Sequence, residues 1–408
     1  MAIEKRKIAI FTGNRAEYGL QYPILKAINQ HPNLDYFLIV SGAHLDPKFG
    51  STLQEIKNDG FHVDAEIKIE MDMDASIATA QAIGAGILSI SRALHKLKPD
   101  IVVVYADRFE GFAAIIAASQ MNIPVAHVEG GDLTEGGALD DSVRHAMTKL
   151  AHLHFTTNQQ SSNRILAMGE ESWRVHTVGL PAIDLIWEKK FASSEEISRK
   201  FHLDFDRPIV LFTQHSISTE YSQAINQIKP SLICIDRLAS EGAQIILTYP
   251  NNDVGGKAII DELENFYAKR ESNIQLFPSL GRHFYHGILA LAYNPLIKIV
   301  CVGNSSSGLK ETPAFNCPTV NIGSRQEGRL RGDNVIDASY DSEDIYKKIH
   351  RCLYDENFRK LCENSKNPYW IGNAGSKIAE ILANVSLDQK MIRKRMMLKG
   401  ETKDGWFR

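Results

Sequence analysis

Residues 101–105 read IVVVY, five apolar and mostly β-branched residues in a row, and the chain continues ADRFE to residue 110. An apolar run this dense, without the alternation of a half-exposed strand, predicts a strand buried on both faces. Such strands belong to parallel sheets covered by helices on either side. Outward from it, from residue 7 to about 180, the short apolar runs Ile8–Phe11, Tyr36–Val40, Val63–Ile69, Val125–Val128, His154–Thr157 and Val175–Val178 alternate with longer stretches of helical period. The pattern stops over the charged, helical stretch Ile186–Asp206. It then restarts with Ile209–Thr213, Ile245–Tyr249, Ile274–Phe277, Ile297–Val302 and Thr319–Ile322. Two successive α/β series predict two parallel-sheet domains with an interdomain cleft, the usual place for a small-molecule site. The expected divisions are 1–185, 186–375 and a helical tail from 376 to 408.

Bulk composition narrows the function. A chain of 408 residues is long for one core, and 44% hydrophobic with 23% charged residues is ordinary globular composition. The net charge of −3 gives no global field for nucleic acid or an anionic membrane, so neither is an expected partner and any phosphate recognition must be local. Five cysteines without close spacing argue against a disulfide framework or zinc site and for buried thiols in a reducing compartment. No stretch approaches the ~20 apolar residues that cross a bilayer, and the apolar run before Gly13 reads as a strand, so a cytoplasmic protein is expected. The basic run at 390–399 reads as a solvated terminal helix packed on one domain.

Four segments follow strand ends, where ligands of open α/β sheets bind. The first is TGNRAEYGL after the first strand, from which Arg15 is expected to project into the cleft; it lacks GxGxxG, which lowers the case for a dinucleotide fold. The second, GNSSSGLKETPAF (303–315), has the serines and glycines to wrap backbone N–H groups and hydroxyls around a phosphate, aided by a helix dipole. Glu311, about a turn further on, is placed to accept from ribose hydroxyls. The third, NIGSRQEGRLRGDN (321–334), carries Arg325, Arg329 and Arg331, whose planar guanidiniums suit phosphate oxygens.

The fourth segment runs from Tyr105 to His154 and holds Asp107, Glu129, Asp132, Glu135, Asp140 and Asp141. One of Asp140 and Asp141 is explained as a helix cap, whereas Asp107 and Glu129 stand at strand ends, where neighbouring carboxylates can divide acid and base roles. His127, His145, His152 and His154 cluster in sequence but read as ring hydrogen bonds or substrate contacts rather than metal ligands. His215, closing the first strand of the second series, is a better ligand contact.

Together TGNRAEYGL, ADRFE, HVEGGD, LDDSVRHAMTKLAHLH, GNSSSGLKE and GSRQEGR resemble the hydrolysing UDP-N-acetylglucosamine 2-epimerase family, from about residue 7 to residue 382. The resemblance implies two Rossmann-like domains of the glycosyltransferase B type facing across a cleft, with the nucleotide mainly on the second. It implies catalytic roles for Asp107, Glu129, Asp140 and His215. Substrate or nucleotide contacts are expected from Arg15, Arg108, His145, Ser305, Ser306, Glu311 and Arg325. No cofactor or metal is implied, and a homo-oligomer, dimer or tetramer, is expected.

The expected reaction is UDP-N-acetylglucosamine plus water to N-acetylmannosamine and UDP, by elimination to a 2-acetamidoglucal and hydration. The alternatives are the same reaction on UDP-N,N'-diacetylbacillosamine and the non-hydrolysing 2-epimerase. HVEGGDL in place of HVEAGLR, and RAE in place of RPE, favour hydrolysis. A loop two residues longer between Glu129 and Asp140, QHS for QHP and NPYW for NPYG are departures that bear on the sugar accepted and on Asp140 against Asp141. A non-catalytic nucleotide-sugar sensor would keep the serine and arginine loops but could dispense with Asp107 and Glu129, and a glycosyltransferase of this fold would not need the acid cluster.

Overall fold

A computed structural model of the chain describes residues 5–13, 15–45, 52–69, 77–133, 139–251, 254–270 and 273–397. The chain divides into two compact units. One comprises residues 1–132, 139–184 and 369–408, the other residues 133–138 and 185–368.

The first unit is built on seven parallel strands: β1 (Arg6–Thr12), β2 (Leu34–Ser41), β3 (Ala65–Ile67), β4 (Ile101–Tyr105), β5 (Val125–Val128), β6 (Leu153–Thr156) and β7 (Val175–Thr177). Their order is β3-β2-β1-β4-β5-β6-β7, so the direction of winding reverses between β1 and β4. All five residues of β4 are buried, as a strand with helices on both faces requires. Two apolar layers cover this sheet. One includes Ile8, Ile10, Val103 and Phe155. The other includes Ala9, Val102, Val104 and Ile90 from the helix Ala78–Leu97.

The second unit repeats the plan with β8 (Ile209–Thr213), β9 (Gln244–Thr248), β10 (Ile274–Phe277), β11 (Ile299–Gly303), β12 (Thr319–Ile322) and β13 (Val335–Ala338), in the order β10-β9-β8-β11-β12-β13. Its reversal falls between β8 and β11. The strand β13 was not expected from sequence. It is a half-exposed edge strand with Asp337 exposed in it, so it lacks the apolar run that betrays a central strand.

The chain returns to the first unit after residue 368. The helix Ala374–Asn384, expected in a separate tail, buries Ile378, Ala379 and Leu382 with the β1 core. Asp184 accepts from the N–H groups of Ala374 (3.0 Å) and Gly375 (2.8 Å), satisfying two donors at that helix start. A Cβ on Gly375 would stand 2.5 Å from the Pro23 carbonyl oxygen, so the close approach to the helix Arg15–Gln30 needs glycine.

The basic run beyond is not a solvated helix over its described part, residues 390–397. A four-residue turn, Gln389–Ile392, is followed by irregular chain. The fully buried Arg174 donates to the carbonyls of Lys390 (2.7 Å) and Met391 (2.9 Å). Lys394 donates to the Lys149 and Ala151 carbonyls and pairs with buried Glu170 at 2.8 Å. No helix among the described residues is long and apolar enough to cross a membrane.

Candidate functional site

In the first unit the candidate side chains gather after β4 and β5, and the backbone there is strained. Ala106 and Glu129 both adopt left-handed conformations (φ 54° and 65°), costing an L-residue about 1 kcal/mol or more each. Neighbouring groups fix both. The Ala106 N–H donates to the Val128 carbonyl (2.9 Å) and the Glu129 N–H to the Phe155 carbonyl (2.9 Å). His127 donates from Nε2 to the Ala106 carbonyl (2.6 Å), and its Nδ1 lies 3.2 Å from the Thr148 hydroxyl. Burial, foremost, depresses His127 to about 3, so the ring stays neutral and serves as a strut. The Glu129 side chain is buried where β5 ends. At Gly131 (φ 75°), a Cβ would stand 2.5 Å from the Ser161 carbonyl oxygen, which explains that glycine of HVEGGD.

Asp107 pairs with Arg144, and Arg144 also reaches Asp141 (3.3 Å). Arg144 is 2% exposed and Asp141 3%, whereas Asp140 is half-buried. A helix cap was expected of one of the two aspartates; both lie within the first turn of the helix Leu139–Leu150, and Asp141 is tied to Arg144. His145, one residue on, is pushed below the usual histidine value by burial and by Arg144 and Arg164, and its buried Nδ1 has no hydrogen-bond partner among the described residues.

Arg108 lies 3.6 Å from Glu110. The Glu110 carboxyl is buried against Gly13 and Gly42, and burial raises its pKa despite Arg108. Arg15 opens the helix Arg15–Gln30, but its side chain and the whole of Glu135 lie outside the described residues. His127, His152 and His154 all spend ring nitrogens inside the fold: Val125 N–H donates to His152 Nδ1 (3.1 Å), and His154 Nε2 lies 3.2 Å from Glu170.

In the second unit, the ends of β8 and β11 are stitched together by Asn304, which is fully buried. Its Oδ1 accepts from the His215 N–H (2.6 Å) and its Nδ2 donates to the His215 carbonyl (2.9 Å). A Cβ on Gly303, at φ 131°, would overlap the Thr213 carbonyl oxygen, so these strand ends meet only through glycine.

His215 accepts at Nδ1 from the Asn251 N–H (3.0 Å), and burial, then the charge of Arg325, depresses it to about 3. A neutral ring that accepts at Nδ1 carries its proton on Nε2, so His215 is a hydrogen-bond donor rather than a base.

Arg325 donates to the Asn304 carbonyl (3.2 Å), which brings it to the same strand ends as His215 and the half-buried Ser305 and Ser306. The other two arginines of that loop are engaged elsewhere: Arg329 with the Leu133 carbonyl and Gln326, Arg331 with Asp337. The helix expected after the serines is a single turn, Ser307–Lys310, followed by the 3-10 turn Thr312–Phe315. Its dipole is therefore slight, and anion binding at this end falls to hydroxyls, backbone N–H groups and Arg325. Glu311, at the end of the turn, is held by His286 (2.8 Å) and Ser307 (3.1 Å).

Sequence reasoning missed Arg144, Asn304, Glu110 and His286. Only Arg144 had a local signal, its i+3 spacing from Asp141 on one helix face.

Two Rossmann-like units, each with polar and charged side chains at the carboxyl ends of its strands, define a two-domain α/β protein of the kind that binds ligands at its strand ends. The solved structure of UDP-GlcNAc 2-epimerase from Neisseria meningitidis bound to UDP-GlcNAc has the same fold, with a TM-score of 0.77 at 20% identity over 92% of this chain and 99% of that one. The chain belongs to the UDP-N-acetylglucosamine 2-epimerase family, whose model matches residues 26–383. It is 34% identical over 356 residues, 87% of this chain and 90% of the relative, to GDP/UDP-N,N'-diacetylbacillosamine 2-epimerase (hydrolyzing) of Campylobacter jejuni. It is 32% identical over 390 residues, 95% of this chain and 98% of the relative, to UDP-N,N'-diacetylbacillosamine 2-epimerase (hydrolyzing) of Legionella pneumophila.

Proposed function

We propose that the protein is a hydrolysing 2-epimerase that converts a UDP-linked 2-acetamido sugar and water to the free C2 epimer and UDP. The observation that carries this reading is Glu129, a buried carboxyl held on strained backbone where β5 ends, beside the end of β4 that bears Asp107. Hydrolysis, rather than return of a UDP-bound epimer, is supported by HVEGGDL where HVEAGLR is usual and by the names of both relatives. Those names also favour UDP-N,N'-diacetylbacillosamine as the sugar nucleotide. UDP-N-acetylglucosamine, giving N-acetylmannosamine, is the second reading, favoured by the family model.

In the first half-reaction the C2 proton passes to a carboxylate while the C1–O bond to the β-phosphate breaks, giving the 2-acetamidoglucal and UDP. In the second, water supplies a hydroxyl to C1 and a proton returns to C2 from the face that inverts it. The C2 hydrogen leaves and returns as a proton, so the sequence has no net redox change. A C2 proton is barely acidic, so its removal depends on assisting the departure of UDP.

Glu129 and Asp140 are assigned to the proton transfers, and Asp107, bound to Arg144, to orienting the sugar. His215 donates from Nε2, and Arg325, Ser305 and Ser306 donate with it, to the pyrophosphate as its charge grows. Arg15, Arg108 and His145 remain proposed sugar or phosphate contacts. The reading extends to a cytoplasmic homo-oligomer, with sedimentation of the purified chain as the test of assembly.

Each sugar nucleotide is incubated with the protein in D2O and the products are identified by NMR. Free 2-epimer with one deuterium at C2 supports the reading, and a UDP-bound epimer or no turnover of either contradicts it. Glu129→Gln should lose at least about 10²-fold in kcat while retaining UDP. Wild-type turnover in that variant would remove Glu129 from the chemistry.

A further inference from the structure

The helix Leu139–Leu150 bears Asp140, Asp141 and Arg144 near its start, and its other end lacks a cap from its own sequence. Only Ala151 and His152 separate it from β6. Both are buried, and neither is a glycine or has the left-handed backbone that commonly closes a helix. Lys149, the cation of its last turn, donates elsewhere, to the Met168 carbonyl (3.2 Å) and to Glu170 (2.5 Å). Carbonyl groups at a buried helix end must then find donors from another part of the chain.

The basic run beyond residue 389 supplies one. Lys394 Nζ lies 2.7 Å from the Lys149 carbonyl oxygen, 2.5 Å from that of Ala151 and 3.4 Å from that of Thr148, all at the negative end of the helix. Glu170, buried, holds the ammonium there at 2.8 Å. Arg174 aims the segment: its Nη1 donates both to the His152 carbonyl (3.1 Å), in the turn after the helix, and to the Met391 carbonyl (2.9 Å), three residues before Lys394. On the other side of Lys394, the Met397 N–H donates to the Gly169 carbonyl (2.8 Å). All of these groups belong to the first unit. Twelve helical residues form a stiff rod about 18 Å long, so whatever fixes the carbonyl end fixes the rotation and axial place of the side chains near the start. Those side chains include Asp140 and Arg144, and Arg144 holds Asp107.

We propose that Lys394 is a positioning residue for the reaction: it caps the carbonyl end of the helix Leu139–Leu150 and thereby sets where that helix presents Asp140 and the Arg144–Asp107 pair. This rests on the reading that Asp140 and Asp107 serve the proton transfers and the orientation of the sugar. Lys394→Met keeps an aliphatic stem and removes the donor. Lys394→Arg returns a cationic donor to the same carbonyls.

Turnover of the sugar nucleotide that the wild type accepts, measured with calorimetric titration of UDP at a temperature where each full-length chain is folded, tests it. Lys394→Met should lower kcat by about ten-fold or more while UDP affinity, which is assigned to the second unit, stays unchanged, and Lys394→Arg should recover part of the loss. A folded Lys394→Met chain with wild-type kcat overturns the proposal and leaves the reading of the reaction standing. A fall in kcat matched by loss of UDP binding overturns it too, as does a Lys394→Arg chain as slow as Lys394→Met. A wild type that turns over neither sugar nucleotide overturns the underlying reading as well. Should Lys394→Met fail to fold, Lys394→Gln, a shorter and uncharged donor, should show the same split to a smaller degree, and an unchanged kcat there counts against the proposal.

Discussion

Removing Arg144 is a severe test of how the first unit is assembled. Its guanidinium is buried and pairs with Asp107 and with buried Asp141, so Arg144→Met leaves two carboxylates facing each other with their shared counterion gone. Breaking a buried ion pair from one side costs about 3–5 kcal/mol, mostly the penalty of the stranded charge. At roughly 2–4 °C per kcal/mol for a unit of this size, the melting transition should fall by about 6–20 °C.

The same argument predicts a rescue. Asp141→Asn, added to Arg144→Met, removes one stranded charge while keeping the side-chain volume, and should recover about 1 kcal/mol or more. Differential scanning calorimetry on the wild type, the two single variants and the double variant completes the cycle. A shift under about 3 °C for Arg144→Met, or a double variant no more stable than Arg144→Met, refutes the reasoning.

Acid should destabilise the first unit well above carboxylate pH. Burial foremost depresses His127 to about 3 and His152 and His154 to about 4, so from about pH 6.5 downward the unfolded chain binds protons that the folded chain refuses. At pH 5 each ring costs about 2 kcal/mol, and a His154→Gln chain should show a shallower fall in melting temperature between pH 7 and pH 5. Glu170 adds nothing in that window: burial opposes its ionisation, but His154, Lys149 and Lys394 hold it at about 2. Gly303→Ala should abolish UDP binding or folding, because the new Cβ overlaps the Thr213 carbonyl, whereas Gly372→Ala, with open space around it and φ of 87°, should cost only about 1 kcal/mol. Calorimetry of the two chains side by side checks both.

The central strands were legible because both of their faces are buried: IVVVY fell on β4 residue for residue, as did IVLFT on β8. The exposed Asp337 interrupts the short run of β13 and hid it, and the packing of residues 374–397 on the first unit was hidden because nothing local in a helix says which core receives it. In the candidate site, strand ends could be located from sequence, so Asp107, Glu129 and His215 were correctly placed just beyond β4, β5 and β8. What was not legible is which polar group each one meets. The pairing of Asp141 rather than Asp140 with Arg144 depends on helix rotation, and the tautomer of His215 depends on one N–H of Asn251, far away in sequence. The dipole expected after the serines failed because GNSSSGLKETPAF breaks after one turn, with Pro313 opening the 3-10 segment that follows.

In the proposed reaction water enters at the anomeric carbon after UDP has left. Turnover in H2(18)O, followed by mass spectrometry of both products, should put the label on C1 of the free 2-epimeric sugar and none on UDP. Label on the β-phosphate of UDP, or a free sugar that keeps the C2 configuration of the substrate, contradicts the account.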